Sequence, residues 1–90
     1  MRTIAARLFW ARKKTGLSQR GLAKLAGLSE RHVGLIEDGA RDNPELKTLQ
    51  VLARVLGTTV GWLSSGEGEE PSAEDIRAAV SAAEASKGAA

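Results

Sequence analysis

Residues 16–39 read GLSQRGLAKLAGLSERHVGLIEDG. Two short helix-like runs stand here with only Gly27, Leu28 and Ser29 between them. Ser18 is placed to cap the first run, Gln19 to Ala26, because a serine there accepts from the free amides of the first turn. Leu17 stands where it can staple onto Leu22 across that cap. Gly27 suits the left-handed residue that ends a helix. Ser29 then caps a second run, Glu30 to about Asp38, closed by Gly39. A helix stopped and restarted so abruptly makes a tight turn. The inward residues Leu22, Ala23 and Ala26 can then share one core with Val33 and Ile36, while Glu30, Arg31 and His32 project outward.

The same punctuation runs through the rest of the chain. β-Branched residues are few, no stretch alternates with a period of two, and Gly or Ser/Thr recurs at helix-length intervals. The spacing predicts a first helix from about Thr3 to Lys14, with Ile4, Leu8 and Ala11 on one face and Gly16 as its stop. Pro44 precedes a fourth helix, about Glu45 to Leu56, whose apolar face is Leu49, Leu52, Ala53 and Leu56. Gly57 ends it, and Thr59 opens a short fifth helix holding Val60, Trp62 and Leu63. Composition changes at Gly66. GEGEEP, residues 66–71, reads as a flexible acidic linker. A sixth helix is expected from about Ala73 to Ser86, with Ser72 and Asp75 as its capping box and a thin stripe of Ile76, Ala79, Val80 and Ala83. Alone it is marginal in water and needs a partner surface. The fold class is all-α. Residues 1–66 form the main domain, and 67–90 form an acidic linker with a short helix that could serve dimerisation or a partner.

A comparison within the chain identifies the outward-facing helix. LAKLAGLSERHVG and LARVLGTTVGWLS share one grammar: helix, Gly, one residue, Ser/Thr cap, helix. The second copy follows its turn with Val60 and Trp62 and is built for burial. Only the first presents polar groups after the turn. That is the helix-turn-helix arrangement, in which the second helix enters the DNA major groove by its N-terminal residues.

Charge agrees with this assignment. The net charge is only +2, but residues 1–41 hold nine bases against three acids, a local net of +6, and residues 67–90 hold six acids against two bases. A basic front half suits a polyanion, since each neutralised phosphate releases counterions. Other classes fare worse. The chain has no cysteine and a single histidine, so thiolate metal sites are excluded and no metal or cofactor is expected. No nucleophile–base set or phosphate loop is visible, and the glycines act as helix stops; an enzyme is not expected. No apolar run approaches bilayer-spanning length. The basic, acid-free start faintly resembles a transit peptide, but Arg7 interrupts any signal-type apolar core. A soluble, cytoplasmic, nucleoid-associated protein is the expectation, and 90 residues leave no room for a separate sensor domain.

From about Leu8 to Gly66 the chain resembles the phage-repressor, Cro-type helix-turn-helix regulators, often called the XRE family. The matching residues are Arg12, GLSQRGLA (16–23), AGLS (26–29), Val33, IEDG (36–39), Pro44, LARVLGTT (52–59) and WLSSG (62–66). The resemblance implies a compact five-helix, lambda-repressor-like domain that binds a palindromic operator in double-stranded DNA, usually as a homodimer. It also implies that Arg12 and Glu37 pair at the base of the first and third helices, and that the fifth helix supplies the main dimer contact. Three positions depart from the family pattern. Gly21 stands where a Glu often completes the capping box. Gly34 sits mid-helix, at a cost of roughly 1 kcal/mol relative to Ala. Leu35 occupies a position that is often polar and base-contacting.

The candidate DNA-binding residues follow. Gln19 resembles the family's phosphate-clamping glutamine, beside Arg20. Arg31 is suited to a bidentate grip on a guanine edge or to a phosphate, and Glu30 to a cytosine amino group, to orienting Gln19, or to the helix N-terminus. His32 faces phosphate or solvent. Leu35 contacts a thymine methyl or nothing. Ser29 caps the recognition helix, while Arg41, Asn43 and the amide-rich start of the fourth helix are backbone-clamp candidates, with Arg12 also within reach of a phosphate. Three biological settings fit: a phage-type repressor, a restriction-modification controller, and an antitoxin, with RNA polymerase or a cognate toxin as further partners. A helical protein-interaction adaptor is the alternative from a different class. Finally, Trp10 falls nearly opposite Leu8 on the first helix. The sixth helix is therefore expected to dock on the Phe9/Trp10 side, in its own or a partner subunit, and to aid dimerisation.

Overall fold

The computed structural model describes residues 1–88, so the last two positions of the predicted tail lie outside the described residues. Among the described residues there are six helices and no strand: α1 (Ile4–Thr15), α2 (Gln19–Ala26), α3 (Glu30–Glu37), α4 (Leu46–Leu56), α5 (Val60–Ser65) and α6 (Ala73–Gly88). The chain is all-α. Where the helices begin follows from hydroxyl caps. Thr3 lies just outside α1, and its Oγ1 accepts from the Ala6 N–H at 3.0 Å. Ser18 and Ser29 accept from Gly21 and His32, and Thr59 from Trp62, each at 3.0 Å. Ser72 Oγ likewise accepts from the Asp75 N–H at 3.0 Å. Each bond satisfies an amide that the helix itself leaves unpaired. Several boundaries differ from expectation: both ends of α1, the end of α3 (Asp38 follows it) and the start of α4 (Glu45 is its N-cap residue) by one residue each, and the end of α6 by two.

The turn between α2 and α3 closes as the glycine requires. Gly27 has φ +72°, and beyond it the Leu28 N–H returns to the Ala23 carbonyl at 2.8 Å. A side chain at a left-handed position would be strained. Every helix then sends at least one fully buried side chain into a single core: Leu8, Leu22, Val33 and Ile36, Leu52 and Leu56, Leu63, and Ile76. Each such burial contributes roughly 1.5–3 kcal/mol before entropy is counted.

α1 is flanked on its two sides by buried arginines. On one side Arg7 is turned inward, its Nε donating to the Leu63 carbonyl at 2.8 Å and its Nη2 to the Ser64 carbonyl at 2.7 Å. Its Nη1 also reaches the Met1 carbonyl at 3.1 Å. These carbonyls at the end of α5 lack helical partners, so one guanidinium ties α5 to α1 and neutralises the negative end of its dipole. In the sequence Arg7 counts only as one of the bases of the front half and as an interruption of an apolar run.

α6 packs on α1 and α4 of the same chain, with a lighter contact to α2. Ile76 and Val80 are its buried anchors. Arg77 donates to the Lys14 carbonyl at 3.4 Å, which sets α6 on the Trp10/Lys14 flank of α1. Trp10 is therefore half-buried rather than pointing to solvent, and its ring lies 5.9 Å from that of Trp62, tilted by 59°. α6 thus docks on the Trp10 side of α1 as expected, within its own chain, and α5 covers that flank as well. Phe9, on the other flank, stays half-exposed at 49%.

The close approach of α6 depends on Gly57. It has φ +68°, and a Cβ there would sit 2.6 Å from the Ala79 Cβ and 3.3 Å from the Asp75 carbonyl. Gly57→Ala should therefore cost about 2–4 kcal/mol, combining left-handed strain with overpacking, measured by chemical denaturation. Ala79→Gly alone should cost about 1 kcal/mol through lost helix propensity, and less than that in the Gly57→Ala background. Additive costs would show that α6 does not press on this turn.

Candidate nucleic-acid interface

α3 is eight residues long, and its two faces differ in kind. Val33 and Ile36 are buried, fixing the inner face. At about 100° per residue, Arg31 and Leu35 fall together on the opposite side. Arg31 and Glu30 are exposed, Leu35 and His32 half-buried. The half-burial of His32 follows from its position beside the inner face. Ser29 caps the helix through its hydroxyl, so its side chain is already engaged.

What holds α3 at its angle is a carboxylate at its C-terminal end. Glu37 Oε2 accepts from Arg12 Nε at 2.7 Å and Oε1 from Arg12 Nη2 at 2.8 Å, a bidentate pair across α1 and α3. The side chains are only 10% and 3% exposed. Arg12 Nη1 donates further to the Leu17 carbonyl at 2.9 Å, in the loop before α2. Glu37, hydrogen-bonded to it, holds the Arg12 guanidinium above its ordinary value, although burial acts in the other direction. The Phe9 ring lies 5.4 Å from the guanidinium carbon and covers it from outside. Arg12 thus faces inward, its guanidinium committed to Glu37 and the Leu17 carbonyl.

Gln19 joins the same group. Its Nε2 donates to Glu37 Oε1 at 3.1 Å, so the first residue of α2 is tied to the last of α3. The connection passes over Gly34, where an added Cβ would lie 3.4 Å from Gln19 Oε1. Gly34 therefore sits at the crossing of α2 and α3. No periodicity signals such a bond. It is visible only once the crossing of the two helices is known.

The remaining candidates lie around this unit. Arg20, Arg41 and Asn43 are exposed. The segment from Asp38 to Pro44 is held by the Arg41 N–H donating to the Leu35 carbonyl at 3.0 Å, and Pro44 is buried. α4 begins differently from the others. Glu45 makes no side-chain cap bond, whereas Thr3, Ser18, Ser29, Thr59 and Ser72 each cap their helix. The first amides of α4 remain open, near Arg41, Asn43 and Lys47 in sequence. Among the described residues no group of His, Cys, Asp or Glu is placed to hold a metal, and no helix is long and apolar enough to cross a membrane.

This arrangement of α2, turn and α3 inside a helical domain is that of a helix-turn-helix regulator. A family model described as helix-turn-helix matches residues 8–63, more than half the chain. The chain belongs to that family, the XRE-type helix-turn-helix regulators, which are DNA-binding proteins. Searches of curated proteins and of solved structures return no match.

Two substitutions separate scaffold from surface here. Glu37→Ala leaves Arg12 buried without its partner and should cost about 3–5 kcal/mol in thermal or denaturant unfolding. Gly34→Ala should instead stabilise by about 0.5–1 kcal/mol, because 3.4 Å to Gln19 Oε1 is ordinary contact and alanine favours the helix. A loss of stability in Gly34→Ala would show that Gln19 has no room to yield.

Proposed function

We propose that the protein is a dimeric transcriptional repressor that reads a palindromic operator with α3 in the major groove. The observation that carries this reading is the outer face of α3. It presents exposed Arg31 beside Glu30 at the N-terminal end of a helix whose inner face is locked into the core, in the basic part of the chain. In this reading Arg31 grips a guanine edge bidentately, Glu30 accepts from a neighbouring cytosine amino group, and Leu35 lies against a thymine methyl. His32 and Arg20 face the sugar-phosphate backbone.

Gln19 is suited to the phosphate clamp because its amide has two N–H donors. Glu37 takes one, which orients the other without rotamer freedom left to lose. On the far side of α3, Arg41, Asn43 and the open amides at the start of α4 grip the backbone together, a helix N-terminus being a natural seat for phosphate. Arg12 contributes by fixing α3 through Glu37 rather than by touching DNA. Ser29 contributes by capping the helix that reads the bases.

A single α3 covers only a few base pairs, so operator specificity requires two copies, one turn of DNA apart. α5 and the exposed edge of Ser64 provide the facing surface in this reading. RNA polymerase is the competitor displaced at a promoter, or else the partner recruited there.

Selection of bound sequences from a random DNA pool tests the whole reading: a palindrome with half-sites one helical turn apart is the expected product, and a set without symmetry would refute the dimer. On the selected operator, Arg31→Ala should cost about 1–3 kcal/mol and relax preference at one base pair per half-site. Gln19→Ala should weaken specific and random DNA alike. Equal losses on both DNAs for Arg31→Ala would remove its base-reading role.

A further inference from the structure

Two recesses on the described surface have apolar floors. The first lies between the α2–α3 turn and the start of α4, floored by Ala26, Leu28 and Val51, with a volume of about 240 Å³. It adjoins the proposed backbone clamp, and its size falls below the roughly 300–1,000 Å³ of small-molecule clefts. The second, about 340 Å³, falls within that range. It runs along the seam where α2, α4 and α6 meet. Leu25, Val55, Ala82 and Ala83 make its floor, and Arg54 and Lys87 stand at its rim with the Ser86 hydroxyl beside them.

The charge of this rim is unbalanced. Among the described residues no carboxylate lines the groove, and the one ion pair among them is Arg12 with Glu37, elsewhere in the fold. Arg54 and Lys87 are both exposed, and no carboxylate of the described residues lies at ion-pair distance from either. An apolar floor with two cations at its edge is complementary to an anion that carries an alkyl chain. The volume, near the lower end for ligand clefts, limits that chain to one of moderate length.

We propose that this groove binds a medium-chain monocarboxylate. The alkyl chain lies on Leu25, Val55, Ala82 and Ala83. The carboxylate is paired by the Arg54 fork and by Lys87, with Ser86 as a further donor. Such a ligand touches α2, α4 and α6 at once. It therefore binds the state with α6 docked in preference to any state with α6 released, and stabilises it by mass action. α6 has only Ile76 and Val80 as fully buried anchors, so it is the element whose attachment a small ligand can most readily bias. The proposal is independent of the DNA reading, because no residue of the groove belongs to the α3 face.

The test uses the full chain, free of DNA, with decanoate below its micellar concentration as the probe and thermal unfolding as the readout. A saturable rise in melting temperature is expected. The Arg54→Gln/Lys87→Gln double variant, altered only at exposed positions, should bind decanoate about tenfold more weakly, since a charge-assisted pairing is lost. Decan-1-ol, which keeps the chain without the charge, should lose affinity similarly, and decyltrimethylammonium should not stabilise at all. Ala82→Leu, which fills the floor from an exposed position, should blunt the response while α6 stays docked. The proposal is overturned if decanoate leaves the melting temperature unchanged or lowers it. An undiminished response in the double variant, in Ala82→Leu or with decan-1-ol would equally overturn it.

Discussion

Glu37 serves three donors, and the orientation of α3 depends on it. Both of its oxygens are committed to Arg12, at 2.7 and 2.8 Å, and one also accepts from Gln19 at 3.1 Å. A bidentate pair fixes direction as well as distance, which a single hydrogen bond does not. Because Arg12 also holds the Leu17 carbonyl at 2.9 Å, the loop before α2 belongs to the same unit. The eight-residue α3, the first residue of α2, the loop before it and α1 are therefore joined at one carboxylate–guanidinium pair. An uncompensated buried charge is far costlier than the pair is favourable, so a partly broken arrangement is the state the fold avoids most strongly.

The two flanks of α1 solve one problem in two ways. Short helices have weak intrinsic stability, and α3 and α5 have only eight and six residues. Each is held at its C-terminal end by an arginine from α1. Arg12 reaches a side-chain carboxylate of α3, while Arg7 reaches the backbone carbonyls of Leu63 and Ser64 at the end of α5. The second is not replaceable by lysine, whose single ammonium cannot address carbonyls from both Nε and Nη positions. Placing both cations on one helix also explains how α1 can be basic without weakening the fold. Arg7 and Arg12 are buried in structural bonds, and Lys13 and Lys14 remain outside, over the Phe9 and Trp10 rings.

How much of this was legible in the sequence varies with the range of the interaction. Helix starts and stops were legible because they depend on neighbours three residues apart, as with Ser18, Ser29 and Gly27. The differences at Glu45 and Asp38 are of one residue, where a cap and a first turn look alike. The core was legible from spacing, and the Arg12–Glu37 pair from resemblance. Arg7 was not, since nothing local marks an arginine whose partners lie 56 and 57 positions away. The docking of α6 on the Trp10 flank was legible from its thin apolar stripe; the cover from α5, whose Trp62 ring lies 5.9 Å from that of Trp10, was not. The Gln19–Glu37 bond combines both difficulties, joining the two ends of the motif across a glycine that reads, in isolation, as a defect.

That glycine illustrates how a local cost can mark a crossing. In sequence, Gly34 weakens α3 by roughly 1 kcal/mol compared with alanine. In the fold, its bare backbone faces the Gln19 side chain on its way to Glu37, at a distance where a Cβ would just make contact. The open space beside Gly34 is slight, so the position tolerates a methyl group and little more. A larger side chain there would displace Gln19 from Glu37, leaving Oε1 with Arg12 as its one donor and the start of α2 untied from the end of α3. The constraint at this position is therefore steric and comes from the neighbouring helix. Helix propensity and tertiary packing make different demands of residue 34, and the size limit set by Gln19 is the stricter of the two.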